Sequence, residues 1–421
     1  MQVFKFGGAS VSTIERIELV RQICNAHRGE KLLIVISAMG KTTNALERVA
    51  SAFFKGDREQ ALSLFEEIRL DHTATARAIL KDSYDQFYPS LLDIFTEVEW
   101  LLHDKPVREF DYYYDQIVCA GELLSTRIIS AYLNENDLRN VWTDVRDIFR
   151  TDDNFRDAAI DWPITIEHIR KLVLPLFENT DIVISQGFIG ATDENESTTL
   201  GREGSDYTAA VFANMLDASG VTIWKDVEGV MNADPKEFSD AIYIRELNYD
   251  EVIEMAYYGA QVIHPKTIKP LQNKGIPLFV KCFLDQQLPG TVINNHTIHQ
   301  LPPILVVKKN QALVHLHTRD FSFAGEKPVA DLYDLLLNVK VRANLLQTGA
   351  VRIDLCVDDN AEKLEKLALA AASEFDVQVI RELTLVTIRH YNEEMIEKFI
   401  GSRKVFLRQQ TPETIQLLLG N

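Results

Sequence analysis

Five consecutive apolar residues, Leu32-Leu33-Ile34-Val35-Ile36, most narrowly limit what this chain can fold into. Side chains alternate across a strand, so a run that is apolar on both sides needs cover on both faces. That pattern belongs to a strand inside a parallel sheet with helices on each side. The residues before it form one unit of such a fold. A short apolar strand over 2–6 meets Gly7-Gly8, and a helix follows in which Ile17, Val20 and Cys24 recur at helical spacing. Ser12 and Glu15 have the spacing of a capping box at its start, and Gly29 is a stop signal after its last turn.

Residues 42–135 read mostly as helix, for example 60–69 and 114–131. Further apolar strands at 181–185, 221–224 and 277–281 alternate with helical patterns, which predicts an α/β sandwich. Its end is expected at the Pro289-Gly290 turn and the polar stretch 294–300. After Pro302-Pro303 the strands alternate more clearly, as in 351–357, and two amphipathic helices are predicted over 327–338 and 360–375. In the second, Asp359 and Glu362 fit a capping box, and Leu364, Leu367, Ala371 and Phe375 line one face. The order strand-helix-strand-strand-helix-strand predicts a ferredoxin-like βαββαβ module. A further strand (382–388), helix (392–399) and two strands (404–408, 413–419) read as a second, incomplete copy.

A chain of 421 residues has room for two or three domains. Its net charge of -18 argues against a general nucleic-acid or anionic-membrane binder, because phosphate surfaces recruit basic ones. A local Lys and Arg cluster can still hold a small anion. Cys24, Cys119, Cys282 and Cys356 lie far apart with no CxxC pair, as expected of buried reduced thiols in a cytosolic protein. No charged segment followed by an apolar core opens the chain at Val3-Phe4-Lys5-Phe6, so no signal peptide is expected. No apolar run approaches the roughly 20 residues of a membrane span. The expected compartment is the cytoplasm.

Several motifs suit the chemistry of phosphate and carboxylate. In Lys5-Phe6-Gly7-Gly8-Ala9-Ser10, paired glycines between strand and helix let backbone N–H groups approach a phosphate, and Lys5 can neutralise its oxygens. A plain tight turn fits the same residues. Gly40-Lys41-Thr42 is not a P-loop, since Val35 stands where the motif needs glycine. Ser37 and Thr43 bring hydroxyls to the end of the second strand, where ligands of open α/β sheets bind. The polar run Thr198–Tyr207 holds Arg202, whose planar fork suits a carboxylate or phosphate, and Asp206, which suits an amino group or a metal. A solvated loop is the alternative. Two turns, Trp224–Val230 and Asn232–Lys236, could wrap a nucleotide. Glu122 is expected near a helix start, where the macrodipole alone would favour a carboxylate. His264, before Pro265, reads as structural. No H-x-x-x-H pattern, GxSxG elbow or Cys/His pairing is present, so neither a protein-borne metal site nor a hydrolase is expected.

In their order, KFGGAS, VISAMGKTTN, GELLS, SQGFIGAT, TTLGREGSDYTAA, WKDVEGVMNADP and YGAQVIHPKTI closely resemble the aspartate kinases of the amino-acid kinase superfamily over residues 1–293. The tail resembles their ACT regulatory modules. The resemblance implies a three-layer αβα sandwich over 1–293, an ACT-type module over 303–381 and a second, incomplete one over 382–421. It implies ATP-dependent phosphorylation of the side-chain carboxylate of L-aspartate, the first step of lysine, threonine and methionine biosynthesis, with ATP and Mg²⁺ as cofactors. Amino-acid feedback and a homodimer through the ACT-type modules are further implications. On this resemblance Lys5, Gly7 and Gly8 hold the transferring phosphoryl group, and Ser37 lies beside the reacting centre. Thr43, Glu122, Arg202, Ser205 and Asp206 surround aspartate, with Arg202 on its α-carboxylate and Glu122 and Asp206 on its ammonium. Trp224, Lys225, Asp226, Met231 and Lys236 line the ATP site. The catalytic set is Lys5, Arg202 and Asp206.

Departures from the family pattern concentrate near the nucleotide. Glu203 replaces a usual glycine, Lys225 a threonine and Met231 an aromatic residue. Gln261 stands where a lysine often contacts ATP, Lys225 being the compensating candidate, and Cys282 stands where asparagine is common. The stretches 319–327 and 346–352 lack the effector sequence of lysine-sensitive forms, so the effector is left open. The alternatives are another enzyme of the superfamily or a catalytically inactive amino-acid sensor. No GxGxxG segment follows the tail, so a fused homoserine dehydrogenase is not expected.

Overall fold

The computed structural model describes residues 1–260, 262–298, 300–320 and 323–420. Gln261 and part of the 319–327 stretch therefore lie outside the described residues. Two compact units emerge. The first comprises Met1–Val230, Tyr243–Ile253 and Val262–Ile298; the second comprises Met231–Ile242, Glu254–Gln261 and His299–Asn421. Two segments that the sequence places with the catalytic region, 231–242 and 254–261, thus cluster with the tail.

The first unit opens with β1 (Gln2–Phe6), α1 (Ile14–Ala26), β2 (Leu32–Ile36) and four helices, α2 (Thr42–Phe54), α3 (Arg58–Ile79), α4 (Tyr84–His103) and α5 (Phe110–Glu135). The cap of α1 is Thr13, which accepts from Arg16 N at 3.3 Å, one residue later than the predicted Ser12. Ser12 Oγ is occupied elsewhere, donating to the Ala9 carbonyl at 3.0 Å. Next come β3 (Asn140–Trp142), α6 (Trp162–His168), β4 (Ile182–Gln186), the hairpin β5 (Ile189–Ala191) and β6 (Ser197–Thr199), α7 (Gly204–Met215) and β7 (Val221–Lys225). After the two-residue strands β8 (Val230–Met231) and β9 (Tyr243–Ile244) follow β10 (Glu246–Asn248), α8 (Tyr249–Tyr258), α9 (Pro265–Lys274), β11 (Leu278–Cys282) and β12 (Thr291–Asn294).

The eight-stranded sheet runs β10-β12-β11-β7-β1-β2-β4-β3. It is parallel except that β12 opposes β11 and carries β10 with it. All five residues of β2 are buried, so both sheet faces are covered, as the apolar run predicts. Helices α7 and α9 pack together, α7 lies on β1, β2 and β7, and α5 contacts β2, β3 and β4. The carboxyl ends of β1, β2 and β7 therefore lie side by side, the place where such sheets bind ligands.

The second unit contains β13 (Ile304–Thr318), α10 (Glu326–Asn338), β14 (Ala343–Thr348), β15 (Arg352–Asp358), α11 (Ala361–Ala371), β16 (Phe375–Arg389), α12 (Glu393–Ile400), β17 (Val405–Gln410) and β18 (Thr414–Gly420). Asn360, not Asp359, caps α11 by accepting from Lys363 N at 3.1 Å, while Asp359 pairs with Arg381 at 2.6 Å. The helix stops at Ala371, and Phe375 joins the same core from the start of β16. The strands make one antiparallel sheet, β14-β15-β13-β16-β18-β17.

Its two long central strands each serve two modules. Residues 311–318 of β13 pair with 375–383 of β16, and with β14, β15, α10 and α11 they give a complete βαββαβ order. Residues 304–308 pair instead with 385–389, beside β18 and β17, supplying a fourth strand to the copy that reads as incomplete in sequence. Register shifts at Lys308, Gln311 and Leu313 separate the two halves. Each half has its own core, one around Leu316, Leu355 and Leu367, the other around Ile388, Phe399 and Leu417.

Candidate functional site

The centre of the candidate site is an ion pair between Lys5 Nζ, at the end of β1, and Asp206 Oδ1, in the first turn of α7, at 2.6 Å. Both side chains are largely buried. Burial pushes the Asp206 carboxyl up, but the charges of Lys5 and Lys225 outweigh it and hold the group below its usual range. Beyond this ion pair, Asp206 Oδ1 has no hydrogen-bond partner among the described residues.

The Gly7-Gly8 turn follows Lys5. A Cβ on Gly8 would stand 2.7 Å from the Ala38 carbonyl oxygen and 2.9 Å from that of Gly40, and Gly40 N donates to the Gly8 carbonyl at 3.0 Å. Close backbone approach, rather than φ, thus demands glycine at position 8. Ser37 continues from β2 beside it; its N–H bonds the Phe6 carbonyl at 3.0 Å, and its carbonyl accepts from Ser125 Oγ at 2.8 Å. Thr42 and Thr43 open α2, with Thr42 Oγ1 donating to the Met39 carbonyl at 2.7 Å.

Glu122 lies midway along the 26-residue α5, not near a helix start, so the macrodipole does not account for it. Gly121 beside it lets α5 approach Ala38 and Thr42, where a Cβ would stand 3.2 Å from each. The carboxyl is fully enclosed. Burial pushes it up to about 8, against the pull of the Ala38 backbone and the Lys5 charge. Its Oε2 has no hydrogen-bond partner among the described residues. A buried carboxylate oxygen without a partner calls for a donor from outside the chain, and Glu122 Oε2 supplies one.

The loop before α7 is tightly set. A Cβ on Gly187 would stand 2.5 Å from Ser205 Cβ, so the 187–188 turn rests directly on the helix start. Ser205 is buried, Arg202 is exposed, and Arg202 has no ion pair among the described residues. Glu203 adopts a left-handed backbone, φ +54°, and its Oε2 accepts from His264 N at 2.8 Å. His264, read as structural in the sequence, caps α9, its Nδ1 accepting from Lys266 N at 3.2 Å.

Trp224 is buried against Phe6, stacked at 6.1 Å, and Phe4. Its side chain belongs to the core. Lys225 Nζ donates to the Val262 carbonyl at 2.8 Å, and Asp226 is exposed in the turn beyond. Met231 and Lys236 belong to the second unit. Within the first unit the fold therefore gathers Lys5, Gly7, Gly8, Ser37, Thr43, Glu122, Ser205, Asp206 and Lys225 around the ends of β1, β2 and β7. Sequence reasoning passed over Ser125 and Gly187, which buttress the site; the first glycine of SQGFIGAT was the available signal.

No group of three or more His, Cys, Asp or Glu among the described residues could hold a metal ion. No described helix is long and apolar enough to cross a membrane.

Comparisons with known proteins show what the chain is similar to. Residues 1–282 match the amino acid kinase family. Lysine-sensitive aspartokinase 3 of Escherichia coli is 34% identical over 85% of this chain and 78% of its own length. A bifunctional aspartokinase/homoserine dehydrogenase of Arabidopsis thaliana is 33% identical over 89% of this chain, which spans only 42% of that protein. Among solved structures, E. coli aspartokinase III in complex with aspartate and ADP superposes with a TM-score of 0.81 at 28% identity, covering 100% of this chain and 96% of that one.

Proposed function

This chain belongs to the amino acid kinase family and is an aspartate kinase, and from that premise we propose that Lys5, Asp206, Glu122 and Arg202 form its phosphoryl-transfer centre. The observation that carries the assignment is the buried Lys5–Asp206 pair beside the Gly7-Gly8 turn, with a Glu122 oxygen that has no hydrogen-bond partner among the described residues. The Glu122 oxygen and the Asp206 carboxylate suit the ammonium of aspartate, and the exposed fork of Arg202, which makes no ion pair among the described residues, suits its α-carboxylate. Ser37, Thr43 and Ser205 add hydroxyls around the same substrate.

The reacting carboxylate of aspartate has an ordinary pKa near 3.9 and is ionised at neutral pH. No general base is required. The work left to the protein is in-line positioning and stabilisation of charge on the transferring oxygens. Lys5 and the Gly7-Gly8 backbone supply that, with Lys225 as a second cation on the nucleotide side. Trp224 acts as the floor beneath the loop, and Asp226, Met231 and Lys236 are assigned to the nucleotide. Mg²⁺ is expected to arrive on the nucleotide phosphates, since this ion keeps waters and binds few protein oxygens. Once bound, it neutralises phosphate charge.

Divisions near residues 293, 303 and 382 are our reading of the domains, with 304–308 lending a strand to the second tail module and the ACT-type half as an amino-acid-sensing tail. A cytoplasmic homodimer, paired through the exposed edges of the second unit's sheet, is the expected assembly.

The decisive experiment measures ADP release with aspartate, glutamate and UMP, and traps the acyl phosphate with hydroxylamine. Aspartyl hydroxamate formed with aspartate alone is the expected result. Turnover of glutamate or UMP instead, or effector binding without turnover, would overturn the reading.

A further inference from the structure

Glu203 stands in a conformation that costs a side chain energy. Its φ of +54° lies in the left-handed region, where a residue with a Cβ is strained by about 1–2 kcal/mol. Such strain persists where the surroundings hold it in place. What holds it here is specific: Glu203 Oε2 accepts the His264 N–H at 2.8 Å, across 61 residues of sequence.

The same short segment is held a second time. Lys225 Nζ donates to the Val262 carbonyl at 2.8 Å, and the charge of Lys225 also acts on Asp206. Asp206 lies three residues after Glu203, within the same turn. The connections close a ring: Asp206 to Lys225 by charge, Lys225 to Val262, along the backbone to His264, to Glu203, and back to Asp206. His264 is itself fixed as the N-cap of α9. The 262–264 segment thus serves as an anchor for both the substrate loop and the second cation.

We propose that Glu203 is a positioning residue for aspartate: its carboxylate ties the loop carrying Arg202 to the start of α9, and Lys225 tightens the same tie from the nucleotide side. This inference rests on the assignment of Arg202 and Asp206 to aspartate made above. Glycine at position 203 would relieve the strain but leave the loop untied. Glutamine keeps a carbonyl oxygen that accepts from His264 N, and alanine keeps the strain while losing the bond.

The test compares Glu203→Gln, Glu203→Gly and Glu203→Ala by steady-state kinetics and by amide hydrogen exchange at residues 201–206 and 262–264. Glu203→Ala is expected to raise the KM for aspartate by about tenfold or more, since small misplacements of positioning groups are costly. Its ATP KM and kcat should stay within about twofold. Exchange at His264 should quicken in the alanine and glycine variants, and Glu203→Gln should restore both readouts. In a double-mutant cycle, the losses of Glu203→Ala and Lys225→Met should be less than additive, as for residues sharing one anchor. Faster exchange with an unchanged aspartate KM would overturn the positioning role, and so would a glutamine variant as impaired as alanine. The exchange measurement needs no turnover: a tie seen by exchange in a chain inactive on aspartate would count against the site assignment, whereas an unchanged exchange rate counts against the tie.

Discussion

The ammonium of Lys5 lies 2.6 Å from a carboxylate oxygen of Asp206, and both are sheltered from water. Two elements 201 residues apart in sequence, the end of β1 and the first turn of α7, are joined by that pair. Removing one partner leaves a buried charge uncompensated, which costs about 3–5 kcal/mol. Lys5→Met should therefore lower both stability and kcat, the latter by about 10²–10³-fold as for other lost charge-stabilising groups. Adding Asp206→Asn should restore stability, measured by urea denaturation, without restoring activity.

Glu122 gives a stability effect with a definite sign. Its carboxyl is raised to about 8 in the folded chain, from an ordinary value of 4.5. Between those values the native state holds the extra proton, so stability declines as pH rises and levels off above about 8. Glu122→Gln removes that contribution, and its stability relative to wild type should grow from pH 4.5 to pH 8. Denaturant titrations at pH 5 and pH 8.5 read this directly. On the proposed assignment the substrate ammonium pairs with the ionised form, so the wild-type KM for aspartate should fall as pH approaches 8.

The two glycines of the first loop should behave differently. A Cβ on Gly8 would stand 2.7 Å from a backbone oxygen, whereas one on Gly7 meets only the tip of Lys5 at 3.4 Å. Gly8→Ala should push the loop off the 38–40 segment and raise the KM for ATP by at least about tenfold. Gly7→Ala should stay near wild type in thermal stability. Equal effects at both positions would contradict the close-approach account.

Arg202 is exposed and makes no ion pair among the described residues. Arg202→Ala should leave stability within about 0.5 kcal/mol, as surface changes usually do. The KM for aspartate should rise by about 10–100-fold, and Arg202→Lys should recover little of it, because an ammonium cannot reproduce the planar fork. Thermal denaturation and aspartate titrations separate the two effects.

Much of this protein is determined locally and can be read from the chain. The apolar run 32–36 requires a doubly covered strand. The glycine turn after β1 and the polar run before α7 fall where the sheet presents its carboxyl ends. The caps moved by one residue, from Ser12 to Thr13 and from Asp359 to Asn360, because neighbouring polar side chains compete for the same N–H groups and only packing chooses between them. Tertiary structure alone decided the rest. Burial between α5 and the 38–42 loop, not a helix dipole, sets the charge state of Glu122. The strand that completes the second module comes from 304–308, about 80 residues before its partner 385–389. Desolvation and strand pairing depend on groups brought from distant parts of the sequence, so no local pattern encodes them.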